Sequence, residues 1–133
     1  MIATGLVAGI LALLTAGGAS MNGRTINGEI LDPRVTACGV VVEEGTIARL
    51  RPFIEASADL AGTFRLVVVK RSASGTSTSS QSNAFRAGTL GTFFVGIDRP
   101  STARIELDVK ANDGRPLCRL SRELKLGDET TEL

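Results

Sequence analysis

The sequence contains no histidine, tyrosine or tryptophan, and its aromatic residues are five phenylalanines. Histidine is the commonest general base and metal ligand, so its absence argues against acid–base catalysis and against a zinc site. Tyrosine and tryptophan are the usual stacking platforms for bases and sugars. The 15 basic and 14 acidic residues nearly cancel, whereas nucleic-acid-binding proteins normally have a basic excess. We therefore expect a protein that is not an enzyme, needs no cofactor or metal and does not bind nucleic acid.

Charged residues are also missing from the first 19 positions. Residues 2–16 are an uninterrupted uncharged run, and small residues follow up to Ala19 and Ser20. An apolar run that ends in small residues is typical of a secretory signal, with cleavage after Ala19. The run has no basic residue before it and is just long enough to span a bilayer, so a misplaced start or a retained anchor is the alternative. We predict a cleaved signal at residues 1–19 and an exported mature protein without a membrane anchor.

The chain has only two cysteines, Cys38 and Cys118. An even count in an exported chain permits a disulfide, and two buried free thiols are the alternative. Closing a loop of about 80 residues would contribute roughly 4 kcal/mol in the chain-entropy model. The cysteines are not spaced as Cys-x-x-Cys or Cys-x-Cys and have no histidine beside them, so neither a catalytic redox pair nor a zinc site is expected.

Short apolar segments separated by turn residues make up the rest of the chain. Residues 20–34 are predicted to be a loosely held lead-in with a short strand over 25–31, and residues 125–133 a polar tail. Between them we predict seven strands, at residues 35–43, 46–56, 62–74, 77–86, 88–97, 103–111 and 115–124. The strand at Ala103–Ala111 alternates strictly between apolar and charged residues, which is typical of an antiparallel sheet with one buried face.

The strand spacing predicts an all-β fold, a seven-stranded immunoglobulin-like antiparallel β-sandwich over residues 35–124. A small closed barrel is the alternative. We expect Pro52 at an edge or a bulge, because proline cannot donate to a sheet ladder. The side chains expected in the core include Phe64, Leu66, Phe85 and Phe94.

The segment Gly62–Phe85 is the centre of this arrangement. It begins as a β-branched strand, passes through a small polar tract from Ser72 to Asn83 and returns to apolar residues. A tract of this composition is either a flexible linker or one arm of a long hairpin. Because apolar segments resume directly after it, we predict a hairpin whose second arm is rich in serine and threonine and exposed.

The same segment resembles a known family. The resemblance begins with Phe64-Arg65-Leu66-x-Val68-x-Lys70-x-Ser72-x-Ser74-Gly75-Thr76-Ser77 and continues with Ser80-Gln81-Ser82-x-x-Phe85. It resumes in Ile97-Asp98-x-x-x-x-Ala103-x-Ile105-x-Leu107-x-Val109-x-x-x-Asp113-Gly114 and in Ser121-Arg122. These residues are similar to the central signature and the last hairpin of the curli assembly protein family of CsgH and CsgC. The resemblance spans residues 35–123.

The resemblance implies a periplasmic, immunoglobulin-like protein that keeps secreted amyloid subunits from polymerising before export. The implied partner is a curli-type amyloid subunit as an unfolded client, with other curli secretion components as further candidates, and we expect a monomer. Members of the CsgC type have a Cys-x-Cys pair. This sequence lacks that pair, so no redox activity is carried over.

A physical hypothesis for client binding accompanies the resemblance. Amyloid grows by adding strands to exposed edges, and an exposed polar hairpin would contact an unfolded client's backbone. Basic residues around the tract would attract acidic or polar, Gln/Asn-rich clients. The predicted client-binding residues are Lys70, Arg71, Ser74, Gly75, Ser80, Gln81 and Arg86. The alternatives are a solvated sheet face and hairpin with no role, or a structural or adhesive module of a cell-surface or pilus assembly.

Overall fold

A computed structural model describes residues 23–86 and 89–127 of the chain. The predicted signal at residues 1–19 lies outside this part, as do residues 128–133 of the predicted tail. Nine strands occur in the described residues: β1 (Gly23–Asn27), β2 (Glu29–Ile30), β3 (Val35–Glu43), β4 (Ile47–Ala56), β5 (Gly62–Ser72), β6 (Gly75–Phe85), β7 (Val95–Asp98), β8 (Ser101–Ala111) and β9 (Pro116–Leu126).

The nine strands form two antiparallel sheets. Sheet A has the order β1-β3-β4-β7, and sheet B has the order β2-β9-β8-β5-β6. The prediction of an all-β, antiparallel fold is confirmed, but the predicted count of seven strands is corrected to nine. Assignment to the immunoglobulin type stays a prediction. The described ranges contain no helix long and apolar enough to cross a membrane.

The two additional strands lie in the predicted lead-in. Strand β1 pairs with β3 of sheet A, and β2 pairs with β9 of sheet B. The chain changes sheets at Gly28, whose N–H donates to the carbonyl oxygen of Cys38 (2.8 Å). Residues 23–30 therefore form two short paired strands, where the sequence predicted one short strand over 25–31 within a loosely held lead-in. Only Ile26 among the residues of β1 and β2 is buried, so the segment lacks the apolar alternation that marks a strand in a sequence.

The strand predicted at residues 88–97 is the least accurate of the seven. The structure has only the short β7 there, preceded by a bridge between Arg86 and Thr89. Phe94, predicted to be in the core, is 47% exposed, and the Arg49 guanidinium lies 4.9 Å from its ring centroid.

At the C-terminal end of the described residues, β9 continues to the buried Leu126, two residues beyond the predicted strand. The sheets therefore extend on both sides of the predicted 35–124 domain.

The hydrophobic core lies between the two sheets. Strand β8 contributes the five alternating residues that the sequence predicted, from Ala103 to Ala111, and all are buried. Strand β5 places Phe64, Leu66 and Val68 beside them, in register with Val109, Leu107 and Ile105. Sheet A supplies the opposite layer, which includes Cys38, Val40, Val42, Ala48, Leu50 and Ile54. Burial of these aliphatic side chains is the main favourable contribution to folding.

A disulfide joins the two layers across this core. Cys38 of β3 and Cys118 of β9 are bonded, with their Cα atoms 6.4 Å apart, and both residues are buried. The backbone of Gly28 passes close to the bond. A Cβ at this position would lie only 3.1 Å from the Cys118 sulfur. The structure therefore contains the bonded alternative of the two that the sequence left open.

Proline 52 lies in the part of β4 that has one partner among the described strands. It is opposite Val40 of β3, whereas β7 pairs only with Ile47–Leu50. The side chain of Pro52 is nevertheless fully buried in the core. Its missing N–H is thus accommodated where the sheet has an open side, as the sequence predicted for this residue.

Candidate functional site

Within residues 23–86 and 89–127, strand β6 is the last strand of sheet B and is paired on one side only. It is in register with β5 over its whole length, from Gly62 opposite Phe85 to Ser72 opposite Gly75, without a bulge. Ten of its eleven residues are exposed, and Phe85 alone is buried. Its sequence, GTSTSSQSNAF, contains no charged residue and no proline. Natural edge strands are usually protected by charges, prolines or bulges, and β6 has none of them.

The register identifies the unpaired backbone groups of β6. The N–H of Asn112 donates to the carbonyl of Ala61 (3.1 Å), so odd-numbered residues of β5 bond to β8. Since bonding positions alternate along an antiparallel strand, the even-numbered residues of β5 bond to the odd-numbered residues of β6. The even-numbered residues of β6 therefore direct their N–H and C=O groups away from the sheet: Thr76, Thr78, Ser80, Ser82 and Ala84. We call this side of β6 the open edge.

The side chains of β6 form two polar rows. The odd-numbered row lies on the core side of sheet B, beside the buried Phe64, Leu66 and Val68 of β5, yet it is exposed from Ser77 to Asn83. Sheet A therefore does not extend over β6. The even-numbered row lies on the outer face of sheet B. Both faces of β6 are exposed to solvent, which explains why its sequence shows no apolar alternation.

The predicted residues Ser74 and Gly75 lie in the turn between β5 and β6. The loop has two residues, Ala73 and Ser74, between the paired Ser72 and Gly75. The Ser72 hydroxyl oxygen accepts a hydrogen bond from the Ser74 N–H (3.3 Å). Gly75 has φ +126°, a conformation that residues with a side chain rarely adopt. These two residues shape the hairpin and lie at one end of the open edge.

Lys70 has a partner in the other sheet. Its Nζ lies 2.7 Å from Oδ1 of Asp98 in β7, and only 18% of its side chain is exposed. The hydrogen bond from Lys70 holds the pKa of Asp98 below its usual value. Lys70 therefore links the two sheets beside the hairpin. The prediction that it contacts a client stays untested, and a client would compete with Asp98 for it.

The other two predicted cations lie at opposite ends of β6. Arg71 is in register with Thr76 next to the turn, and Arg86 directly follows the strand. With a rise of about 3.3 Å per residue, ten residues separate the two positions by roughly 33 Å. Ser80 and Gln81 lie between them at mid-strand, on opposite faces. The predicted residues therefore form a line along one strand and not a compact pocket.

Sequence reasoning missed a row of charges on the outer face of sheet B. Ser82 of the open edge is in register with Arg65, Arg65 with Asp108, Asp108 with Arg119, and Arg119 with Glu29. Nε of Arg119 lies 3.3 Å from Oδ1 of Asp108. The signs alternate across the row, so this face has no strong field of one sign. The sequence showed which residues point outward, but only the register shows which of them are neighbours.

Metal binding has no support in the described residues, where no group of three or more His, Cys, Asp or Glu side chains is placed to hold an ion. Depressions in the described surface are shallow, and one of them is lined by Arg65, Ser82, Asp108, Lys110 and Arg119 beside β6. The feature that stands out is therefore the open edge, where the groups offered to a ligand are those of the backbone.

Comparison with known proteins gives one similar structure. The chain is similar to the solution structure of R. palustris CsgH, with 23% sequence identity and a TM-score of 0.45. The alignment covers 84% of this chain and 96% of that chain. Neither a protein-family model nor a curated protein matches the sequence.

Proposed function

We propose that this protein is a periplasmic, chaperone-like inhibitor that prevents premature amyloid polymerisation of curli-type fibre subunits. It acts by binding, without turnover, to an unfolded or early oligomeric subunit. The resemblance of the hairpin residues to the curli assembly family supports the choice of client. The observation that carries the proposal is the open edge, an uncharged strand of eleven residues that has unpaired backbone groups and no protective feature.

The open edge is suited to bind a strand of the client. Amyloid grows when a new strand pairs with the exposed edge of a growing sheet. Five residues of β6 offer an N–H and a C=O in the spacing that such a strand requires. A client strand that pairs with β6 is withdrawn from the pool that forms nuclei.

The polarity of β6 keeps this binding weak and reversible. A strand added beside Ser77, Ser79, Gln81 and Asn83 would remain exposed on the core side, because sheet A does not reach over β6. Little apolar surface would be buried, so backbone hydrogen bonds would supply most of the affinity, each with a modest net contribution. Side chains of Gln and Asn on the client could form amide hydrogen bonds with Gln81 and Asn83. A transient complex of this kind suits an inhibitor that acts on nucleation and releases its client for export.

Arg71 and Arg86 add an electrostatic component at the two ends of the strand. Both are exposed, so they attract an acidic or polar client by a weak, salt-screened interaction. This component raises the rate of encounter more than the affinity of the complex.

The test is a polymerisation time course of a purified curli-type subunit, followed by amyloid-dye fluorescence. Protein that begins at Ser20 is added well below equimolar concentration. We expect a much longer lag, and a lag unchanged even at equimolar protein would contradict the proposal and favour a structural or adhesive module.

A pair of variants tests the electrostatic component in the same assay. Arg71→Gln with Arg86→Gln is compared with Arg49→Gln and Arg51→Gln, which remove the same charge from the outer face of sheet A. The hairpin pair should shorten the lag most at low salt, and the control pair should behave as wild type. Equal effects of the two pairs would show that net charge matters and the hairpin does not.

A further inference from the structure

The hydrogen-bonding pattern of β6 is complementary to that of a second, antiparallel copy of β6. This property does not depend on any client. The midpoint of Gly75–Phe85 is Ser80, which belongs to the even-numbered set with unpaired backbone groups. An antiparallel copy centred on Ser80 places Thr76 opposite Ala84 and Thr78 opposite Ser82. In this register all five even-numbered residues of each copy are hydrogen-bonded, which gives about ten backbone hydrogen bonds.

Charge does not oppose this pairing. No residue of β6 is charged, so like charges never face each other across the new interface. Arg86 directly follows β6, and two further arginines lie on β5, where Arg65 is in register with Ser82 and Arg71 with Thr76. In the paired arrangement Arg65 and Arg71 face Val69 and Thr63 of the other copy, about 14 Å away across three strand spacings. Arg86 lies opposite the turn residue Ser74 of the other copy, just outside the paired span, so no arginine directly faces another across the new interface.

We infer that the protein self-associates through its open edge: a second copy of the chain pairs β6 with β6 around a two-fold axis at Ser80. The two five-stranded sheets then become one continuous sheet of ten strands. The contact is isologous and closes on itself, so it gives a dimer and not a fibre. The far side of each sheet B ends in the two-residue strand β2, so the ten-stranded sheet does not extend further by the same contact.

Self-association and binding of a client strand exclude each other, because both use the same ten N–H and C=O groups. The dimer therefore protects the edge when the protein is abundant and no client is present. Dissociation makes the edge available again. Inhibition per molecule should decline as the protein concentration passes the dissociation constant of the dimer. The dimer itself does not depend on the proposed function.

The experiment is sedimentation velocity over a concentration series that extends to the limit of solubility, in the absence of any client. The wild type should show a reversible monomer–dimer equilibrium. Ser80→Lys places two lysines directly opposite each other at the axis and should weaken the dimer at least about tenfold. Thr76→Lys is the matched control, with the same charge on the same face. Its two lysines lie about 26 Å apart in the dimer, and each has only Arg86 of the other copy as a diagonal neighbour, so its dissociation constant should rise much less than that of Ser80→Lys.

A mixture of Ser80→Lys and Ser80→Glu decides the register. Each variant alone should dimerise more weakly than the wild type because of like charges, and the equimolar mixture should recover a tighter dimer in which Lys and Glu face each other. Circular dichroism confirms that all three variants fold, as expected for exposed positions. A wild type that stays monomeric at every concentration, or a Ser80→Lys dimer as tight as the wild type, overturns the inference. Because no client is present, these results leave the polymerisation assay to decide the proposed function separately.

Discussion

The two edges of sheet B differ in almost every property that controls strand addition. The open edge consists of one long, uncharged strand without a bulge. The opposite edge consists of β2, which has two residues, and of β9 beyond Arg119, where the described strands provide no further partner. We call this opposite edge the closed edge. Both edges belong to the same sheet and share the same core.

The closed edge carries the protective features that β6 lacks. Its outermost residues include Glu29, Arg122, Glu123 and Lys125, so an added strand would have to pass a row of charges. The chain also leaves sheet B at the turn that follows β2, where Asp32 accepts hydrogen bonds from the N–H and the guanidinium of Arg34. Edges with these features resist pairing with other chains. The comparison indicates that openness is a property of the β6 edge and not of sheet B as a whole.

The largest expected effect comes from removal of the disulfide, which ties the closed edge to sheet A and has no counterpart at β6. Replacing Cys38 and Cys118 by alanine should lower the free energy of unfolding by about 2–5 kcal/mol, because the bond constrains a long loop of the unfolded chain. Urea denaturation of the double variant and the wild type measures the difference. A midpoint that does not move would show that the bond contributes little to the fold.

Two proline substitutions give the next largest effect and test the alternation of bonded positions along β6. Ser79 is paired with Val68 and bonds to β5, whereas Ser80 directs its N–H to solvent. Ser79→Pro should therefore lower the stability by about 1–3 kcal/mol through a lost ladder bond, and Ser80→Pro should cost much less. The same urea experiment compares the neighbouring variants. The opposite order would show that the assignment of unpaired groups is reversed.

Much of the fold follows from patterns that a sequence displays directly. Strand β8 alternates apolar and charged residues, and Ala103–Ala111 was predicted with its buried face correct. Strand β3 was predicted with its observed ends, Val35 and Glu43, because β-branched residues continue up to the Glu-Gly turn. In these strands the pattern reflects burial on one or both faces, which is the property that a sequence records most clearly.

The candidate site was only partly predictable. Composition indicated an exposed polar arm, but the side of β6 that bears the unpaired groups depends on the register with β5 and β8. The contact of Lys70 with Asp98 joins residues 28 positions apart and depends on how the two sheets meet. Phe94 was wrongly placed in the core. Its neighbours in the sequence do not distinguish a buried ring from an exposed ring that packs against Arg49 of another strand. The sequence therefore did not show which residues of different strands are neighbours.

A smaller effect is expected when one N–H is removed from each edge without disturbing the ladder. Ser80 of β6 and Ser121 of β9 are both exposed. At each position the backbone N–H and C=O point away from the paired strand and meet no other described strand. Ser80→Pro should raise the protein concentration needed for a given lag in subunit polymerisation by about tenfold, which corresponds to about 1.4 kcal/mol. Ser121→Pro should inhibit as the wild type does. Equal loss in both variants would show that the two edges contribute alike.

The smallest effect concerns pH and distinguishes the two edges by their carboxylates. Hydrogen bonds from the Arg34 side chain lower the pKa of Asp32, next to the closed edge, from 3.8 to about 2. A carboxylate with a lowered pKa in the folded state stabilises the protein above its unfolded pKa, and the contribution is lost as the pH falls toward the folded value.

Between about pH 4 and pH 2 the turn after β2 should therefore loosen, whereas β6 has no titratable side chain. Amide exchange measured through this range, relative to the intrinsic rate of an unstructured peptide at each pH, should increase at residues 29–35 and stay unchanged at the odd-numbered amides of β6. In Asp32→Asn the increase at residues 29–35 should be present already at neutral pH and nearly independent of pH. Equal acid sensitivity of the turn in the variant and the wild type would assign the loosening to other carboxylates, of which Asp98, with its lowered pKa beside Lys70, is the next to examine.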